Sequence, residues 1–186
     1  MIRAKRLLIH AIATPLGLSL RPANRGQIQA FVMSLPFWKM KSLGEMSKSE
    51  WESLCDHCGK CCLIKLEDED TGLNLDTDVA CKLYDCNKGG CRHYANRHTH
   101  VPDCVVLTPD NVPKLKWIPQ TCAYRLIAEG RDLFDWHPLK TGDPESTRKA
   151  GMSVIGRVTS ETQFSDPDSV DWEARITEWP GEGDED

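Results

Sequence analysis

The sequence predicts a small α+β domain of short helices, few strands and long Cys-bearing loops. Three observations predict it. All nine Cys of the 186-residue chain fall between Cys55 and Cys122, about 13% of that stretch, above the roughly 8–10% at which cysteines rather than a large apolar core organise a fold. Apolar periodicity is confined to short windows, each closed by a capping or turn residue. Long apolar runs are few between the cysteines, and turns are many.

Residues 1–32 read as a basic leader. They carry Arg3, Lys5, Arg6, Arg21 and Arg25 and no acid. The run from Arg6 to Leu20 has the outline of a weak export or transit signal, but His10 and Pro15 interrupt it and no cleavage site follows. An upstream start with Met33 as the natural first residue is the other reading. The domain is expected over residues 33–180, with an acidic, disordered tail over 181–186.

Structure is expected to begin near Pro36-Phe37-Trp38. Ser47-Lys-Ser-Glu50 fits a capping box, with Met46 and Trp51 at the positions of a hydrophobic staple, so a short helix should run into Cys55. Leu73, Leu75, Thr77 and Val79 alternate with polar residues and predict a half-buried strand ending at Cys81. Asn87-Lys-Gly-Gly90 predicts a turn before Cys91. Val101 to Leu107 is a candidate second strand. Thr121 is placed to cap a helix through Glu129, with Gly130 at the C′ position. Asp143-Pro144 is a candidate start for a short helix ending at Gly151. Asp168 or Ser169 is one for a last helix with Val170, Trp172, Ile176 and Trp179 on its apolar face.

Charge and hydropathy exclude some classes. The net charge is −5, and removing the +5 of residues 1–32 leaves −10 on the remainder. An acidic body speaks against nucleic-acid binding, which needs basic patches. No stretch of about 18 apolar residues occurs, so no membrane-spanning helix is expected. A protein partner stays open, and the expected compartment is the cytoplasm.

Cys55-Asp-His-Cys58-Gly-Lys-Cys61-Cys62 is the strongest signal. Two-residue spacings let successive sulfurs turn toward one point, and Gly59 permits the tight path this requires. Thiolates select zinc, Cu(I) or iron–sulfur clusters. The Cys count is odd and the export signal unconvincing, which argues against a disulfide framework. Zinc modules tend to offer two paired knuckles, whereas here one compact run is followed by single Cys at 81, 86, 91, 104 and 122. C-x2-C-x2-C with a remote fourth Cys has the spacing of half a ferredoxin. An iron–sulfur cluster, [4Fe–4S], is therefore favoured over zinc. Cys55, Cys58 and Cys61 with one distant Cys would supply it. Cys122, at a helix start whose amides stabilise a thiolate, is a good remote ligand. Cys62 projects differently from its neighbour Cys61, which makes both on one ion awkward, and suits a second site or a buried thiol.

The other polar groups have ordinary readings. Glu67-Asp68-Glu69-Asp70-Thr71-Gly72 is a solvated loop without the spaced ligands of an EF-hand. His57 and His93 are expected at the surface or beside a thiolate. Arg92, Arg97 and Arg125 flank cysteines and could offset thiolate charge or form surface pairs. Trp117, Trp136, Trp172 and Trp179 are expected to pack.

From about Leu35 to Trp179 the chain resembles the bacterial CxxCxxCC family, a zinc- or iron-chelating domain, in its proteobacterial branch. The resemblance rests on Pro36-Phe37-Trp38, the eight-residue cluster, Lys65 to Gly72, Val79-Ala80-Cys81, Cys91-Arg92-His93-Tyr94, Pro102-Asp103-Cys104, Thr121 to Arg125 and Trp136 to Leu139. It implies metal ligands at Cys55, Cys58, Cys61, Cys62, Cys81, Cys91, Cys104 and Cys122. Relatives often show C-x-C-x-x-Y where this chain has Gly90-Cys91-Arg-His-Tyr94, so Cys86 falls off the pattern. A similar cysteine segment occurs in a flagellin lysine methylase that is thought to depend on an iron–sulfur cluster. Three functions compete: an iron–sulfur protein for electron transfer, sensing or support of a partner enzyme; a structural zinc interaction module; and an enzyme with a catalytic cluster.

Overall fold

The computed structural model describes residues 35–182. The chain divides into two units, residues 1–35 and 36–186. The expected leader and residues 183–186 of the expected tail lie outside the described residues. The second unit is an α+β arrangement of short helices around a small three-stranded sheet.

Local chemistry shapes the entry. Helix α1 (Phe37–Met40) and a 3-10 turn at Leu43–Glu45 precede α2 (Lys48–Ser53). The Ser47 box forms as the sequence predicts. Glu50 N–H donates to Ser47 Oγ, and Ser47 N–H donates to Glu50 Oε2 at 2.7 Å. Ser42 and Glu45 make a second box one turn earlier. Met46 and Trp51 both pack on the core that receives α2.

Strand β1 (Leu63–Glu67) leaves the cysteine cluster directly and pairs antiparallel with β2 (Asn74–Ala80), in register Leu66↔Leu75 with a bulge between Leu63 and Lys65. The acidic run is the hairpin loop. Asp68 Oδ1 accepts from Thr71 N–H and Oγ1, tying the turn to itself. Thr77, Val79 and Ala80 are the buried residues of β2, so its predicted alternation holds where the strand meets the core. A two-residue β3 (Thr159–Ser160) pairs parallel with Val79 and Ala80.

Two apolar clusters form. The first gathers Leu43, Leu54, Val112, Ile118, Ala123, Tyr124 and Leu133, with Trp38, Trp51 and Trp117 partly buried against it. The second gathers Leu63, Ala80, Tyr84, Val154 and Trp179. The chain passes from one to the other between Leu54 and Leu63, through the cysteine cluster. After the short helix α3 (Arg97–His100), the first cluster receives α4 (Ala123–Ala128). Its C-terminus closes as a Schellman motif: Gly130 N–H donates to Ile127 O and Arg131 N–H to Leu126 O, with Gly130 at φ +73°. Helices α5 (Pro138–Thr141) and α6 (Ser146–Lys149) follow.

Three sequence expectations are corrected. Residues 101–107 form no strand; Pro102 lacks a donor, Val105 and Val106 are exposed, and no sheet edge runs beside them. The last helix is replaced by 3-10 turns at Pro167–Ser169 and Glu173–Arg175. Pairing with β2 overrides the helical pattern there: Ile176 bridges Thr77, Thr177 N–H donates to Asp76 O at 2.8 Å, and Trp179 Nε1 donates to Thr77 O. Finally, the N-cap of α4 is Cys122, not Thr121, whose hydroxyl is turned to Lys60 and Glu182.

Candidate metal centre

Each C-x2-C step of the cluster contains one residue in the left-handed region. His57 (φ +57°) turns the step from Cys55 to Cys58, and Gly59 (φ +86°) turns the step from Cys58 to Cys61. His57 is the non-Gly residue with positive φ among the described residues, an uncommon conformation for a side-chain-bearing residue. Gly59 cannot be replaced freely, because a Cβ there would stand 2.2 Å from Tyr84 Oη. Val154 N–H donates to Cys58 O and Cys81 N–H to Cys62 O, which fixes the turn to both neighbouring segments.

The result is a cavity of about 50 Å³ lined by Cys55, Cys58, Cys61 and Cys122 together with Asp56 and apolar walls that include Trp117 and Ile118. Cys122 arrives at the start of α4 from the far end of the cysteine region. Convergence is on a cavity rather than a point: among the described residues no three His, Cys, Asp or Glu side chains form a ready-made site for a single ion.

Electrostatics oppose thiolates here unless a cation compensates. Burial, reinforced by Cys61 and Asp56, pushes Cys55 up to about 12. Burial lifts Cys58 well above the ordinary thiol range, with Asp56 and Cys61 adding to it. Cys122 also rises to about 12; burial outweighs the Arg125 and Tyr124 amides that favour its thiolate. The helix-start stabilisation expected for Cys122 is therefore present but overridden. Cys61 is raised first by its contact with the Cys62 thiol. Burial adds to that shift, although the residue as a whole keeps an exposed surface. A multivalent cation inverts this balance, since a coordinating thiol is deprotonated outright. Four soft donors around one cavity fit a thiolate-bound metal group.

The remaining cysteines lie outside the cavity lining, although the Cys62 thiol touches that of Cys61. Cys62 and Cys86 pack on the second apolar cluster, and both bear on the Tyr84 phenol. Cys81 is raised by burial, with the charges of Glu161, Cys104 and Cys91 adding to it, and all three of these cysteines lie outside the cavity lining. Cys91 is held by its bridge to Tyr84. The structure thus brings four of the eight resemblance-derived ligands to the cavity and leaves Cys62, Cys81, Cys91 and Cys104 outside its lining. Arg92 pairs with Asp85, Arg97 stacks on Tyr94, and Arg125 pairs with Glu129. His57 and His93 are exposed.

Sequence reasoning missed two residues. Asp56 is buried and lines the cavity; an acid inside a C-x2-C step was the available signal. Lys60 has no exposed surface, and its ammonium reaches Glu182 Oε1 at 2.8 Å, Thr121 Oγ1 and Pro180 O. Glu182 Oε2 also accepts from Gln120 N–H. The start of the expected tail is therefore an anchor for the cluster loop.

Residues 54–123 match the family described as "Putative zinc- or iron-chelating domain", CxxCxxCC. The chain is 58% identical over 137 residues to a UPF0260 protein of Mesorhizobium japonicum, an alignment covering 73% of this chain and 93% of that one. The chain belongs to the UPF0260 family. Its likeness to the UPF0260 protein of Nitrobacter hamburgensis is 57% over 144 residues (77% and 83% of the two chains). For that of Parvibaculum lavamentivorans it is 54% over 145 residues (78% and 93%). No solved structure matches. The resemblance read from the cysteine cluster is borne out at the level of family and of zinc- or iron-chelating domain. No helix among the described residues of this UPF0260 protein is long and apolar enough to cross a membrane.

Proposed function

We propose that this UPF0260 protein is a cytosolic iron–sulfur protein that holds one [4Fe–4S] cluster on Cys55, Cys58, Cys61 and Cys122 and serves a protein partner. The observation that carries this reading is the cavity itself, ringed by four thiols from two distant segments. Space between the sulfurs suits a polynuclear group, each thiolate reaching its own iron, better than one tetrahedral zinc, which draws four ligands onto a point.

When bound, such a group supplies one-electron transfer. The chain's own residues define its surroundings. Trp117, Leu107 and Ile118 exclude water from one side. Exposed Cys61 leaves the opposite edge near the surface, where a partner could dock. Lys60, clamped by Glu182, keeps the loop in place.

Anaerobic purification followed by elemental and acid-labile sulfide analysis, with a visible spectrum, tests the reading. Iron and sulfide near about four each per chain, with visible absorption that bleaches on reduction, supports it. Zinc without sulfide replaces it by the structural zinc module.

A further inference from the structure

The segment from Lys88 to Lys116 is charged unlike the rest of the domain. It carries five cations, Lys88, Arg92, Arg97, Lys114 and Lys116, against two acids, Asp103 and Asp110, while the chain as a whole is at −5. Arg92 pairs with Asp85. The other four cations pair with no carboxylate among the described residues. Elsewhere Lys39, Lys41, Lys65 and Lys140 each hold a carboxylate. The segment is long, with only three short helical turns (Tyr94–Asn96, Arg97–His100 and Val112–Lys114). Asn111 holds its middle in one shape, donating from Nδ2 to Val106 O and accepting from Thr108 N–H, both at 2.8 Å. Tyr94, Val105 and Val106 nevertheless stay exposed. Long connections of this kind are uncommon in compact domains and are usually functional.

The same segment builds one wall of the cavity. Leu107 and Trp117 line it. Val105 and Val106 run into Leu107, and Lys116 adjoins Trp117. At the other end the Tyr94 hydroxyl donates to Glu52 Oε2 at 3.2 Å, and the Arg97 guanidinium lies 4.3 Å from the centre of the Tyr94 ring. Burial raises the Tyr94 phenol, with the charges of Glu52 and Cys55 adding to it, so this corner lies beside a cavity cysteine. Cys61 leaves one edge of the cavity near the surface, but the unpaired positive charge lies on this wall. Exposed aromatic and aliphatic groups with Arg among them, rimmed by charge, have the composition of a transient protein interface. Unpaired cations call for an acidic partner. A nucleic acid suits the segment less well, because the net negative chain repels a phosphate backbone and exposed valines give it nothing.

We propose that residues 88–116 dock an acidic one-electron carrier protein, with Lys114, Lys116 and Arg97 meeting its carboxylates and Tyr94, Val105 and Val106 packing against it. The carrier's role rests on the metal reading above; its acidity rests on the charge of the segment alone. One electron leaves the reduced carrier for the group held by the four cysteines, and no bond forms or breaks. Leu107 and Trp117 are the side chains between the docked carrier and the cavity.

The test uses full-length protein purified anaerobically, with flavodoxin, an acidic one-electron flavin carrier, as the probe. Isothermal titration with oxidised flavodoxin reads affinity, and stopped flow with reduced flavodoxin reads electron transfer. Both proteins are net negative, so an encounter governed by net charge must strengthen as salt screens the repulsion. Docking on the basic segment should instead weaken by about fivefold between roughly 20 and 200 mM salt. At low salt Lys114→Glu/Lys116→Glu should lose about tenfold in affinity and rate. Lys48→Glu/Arg148→Glu makes the same charge change on exposed cations elsewhere and should lose less than about twofold. Circular dichroism should stay as in wild type for both variants. A wild-type affinity or rate that is flat or rises with salt overturns the proposal whether or not the variants fold. Equal losses in the two variants overturn it as well. So does tighter binding of poly(U) than of flavodoxin at equal salt, which would make the segment a nucleic-acid site. Absence of iron and sulfide from the wild type overturns the metal reading and the electron transfer with it, while the titration, which needs no metal, still decides the acidic partner.

Discussion

Cys61 and Cys62 are adjacent in the chain and belong to different surroundings. Cys61 lines the cavity with Cys55, Cys58 and Cys122, and is exposed. Cys62 is turned onto the apolar cluster of Tyr84, Val154 and Trp179, in company with Cys86. The difference teaches that cysteine density alone does not bring thiols to one cavity. What selects four of the nine is the pair of left-handed turns at His57 and Gly59 and the arrival of α4 at Cys122.

Serine replacement gives the widest separation between the two groups. Cys58→Ser should lower the metal-to-chain ratio at least about tenfold and raise protease sensitivity from Cys55 to Cys122, because loss of a thiolate releases the loops its metal closes. Cys86→Ser should leave both within about twofold, since Cys86 lies outside the cavity lining. Inductively coupled plasma analysis with limited proteolysis reads both. Equal behaviour of the two variants would dissolve the distinction between the groups.

Gly59 is where the two surroundings touch. An alanine there meets Tyr84 Oη, Tyr84 Cζ and Val154 Cγ2 within 2.7 Å and must hold φ near +86°. Tyr84 is 2% exposed, so it has little room to yield. Gly59→Ala should cost about 3 kcal/mol in urea unfolding, from overpacking together with left-handed strain. Gly90→Ala, also left-handed but facing open space, should cost only about 1 kcal/mol.

Legibility in the sequence tracks the range of the forces involved. The Ser47 box, the turn before Cys91 and Gly130 depend on neighbours within a few residues, and the structure has them where the sequence predicts them. The gathering of Cys55, Cys58 and Cys61 is legible for the same reason, because spacing and Gly59 are local. Residues 101–107 and 168–179 mislead because their backbone hydrogen bonds depend on whether a sheet edge lies nearby. Strand β1 is hidden because Leu63 to Glu67 is short and mixed, and Lys65 turns its ammonium back to Asp76. Asp56 and Lys60 escape notice because a charged residue in a polar loop ordinarily faces water. The burial of Lys60 arises only when Pro180, Glu182 and Thr121 close over the loop.

That closure can be weakened without touching a sulfur. Glu182→Ala leaves the Lys60 ammonium buried with only Thr121 and Pro180 as acceptors. The loss should be about 2 kcal/mol, below the roughly 3–5 kcal/mol typical of breaking a fully buried pair, because two acceptors remain and Glu182 is partly exposed. Arg175, paired with Asp78 beside the same terminal segment but partly exposed, should cost less than about 1 kcal/mol when replaced by Ala. Urea titration of the two variants ranks them, and equal losses would mean that the terminal segment does not anchor the cluster loop.

The smallest expected effect is a pH dependence on the cavity's helical side. His137 is buried and caps α5: Leu139 N–H donates to Nδ1 at 3.1 Å. With Nδ1 accepting, the ring proton sits on Nε2, which donates to Leu54 O at the end of α2, one residue before Cys55. Burial lowers the His137 pKa below its ordinary value near 6.5, outweighing the Leu54 contact that raises it. In the unfolded chain the ring regains that ordinary value, so between the folded pKa and about 6.5 the unfolded state binds the extra proton. Stability is then fully present above about pH 6.5 and falls as the pH drops below it. Protonation of Nδ1 also removes the acceptor that caps α5. His137→Asn keeps an N-cap acceptor but cannot titrate. The wild type should lose stability between pH 7.5 and 5.5, approximate bounds set around that ordinary pKa, more steeply than the variant. Metal content must be matched in the two proteins, because acid also releases thiolate-bound metal. Parallel pH slopes would show that His137 holds Leu54 by packing alone.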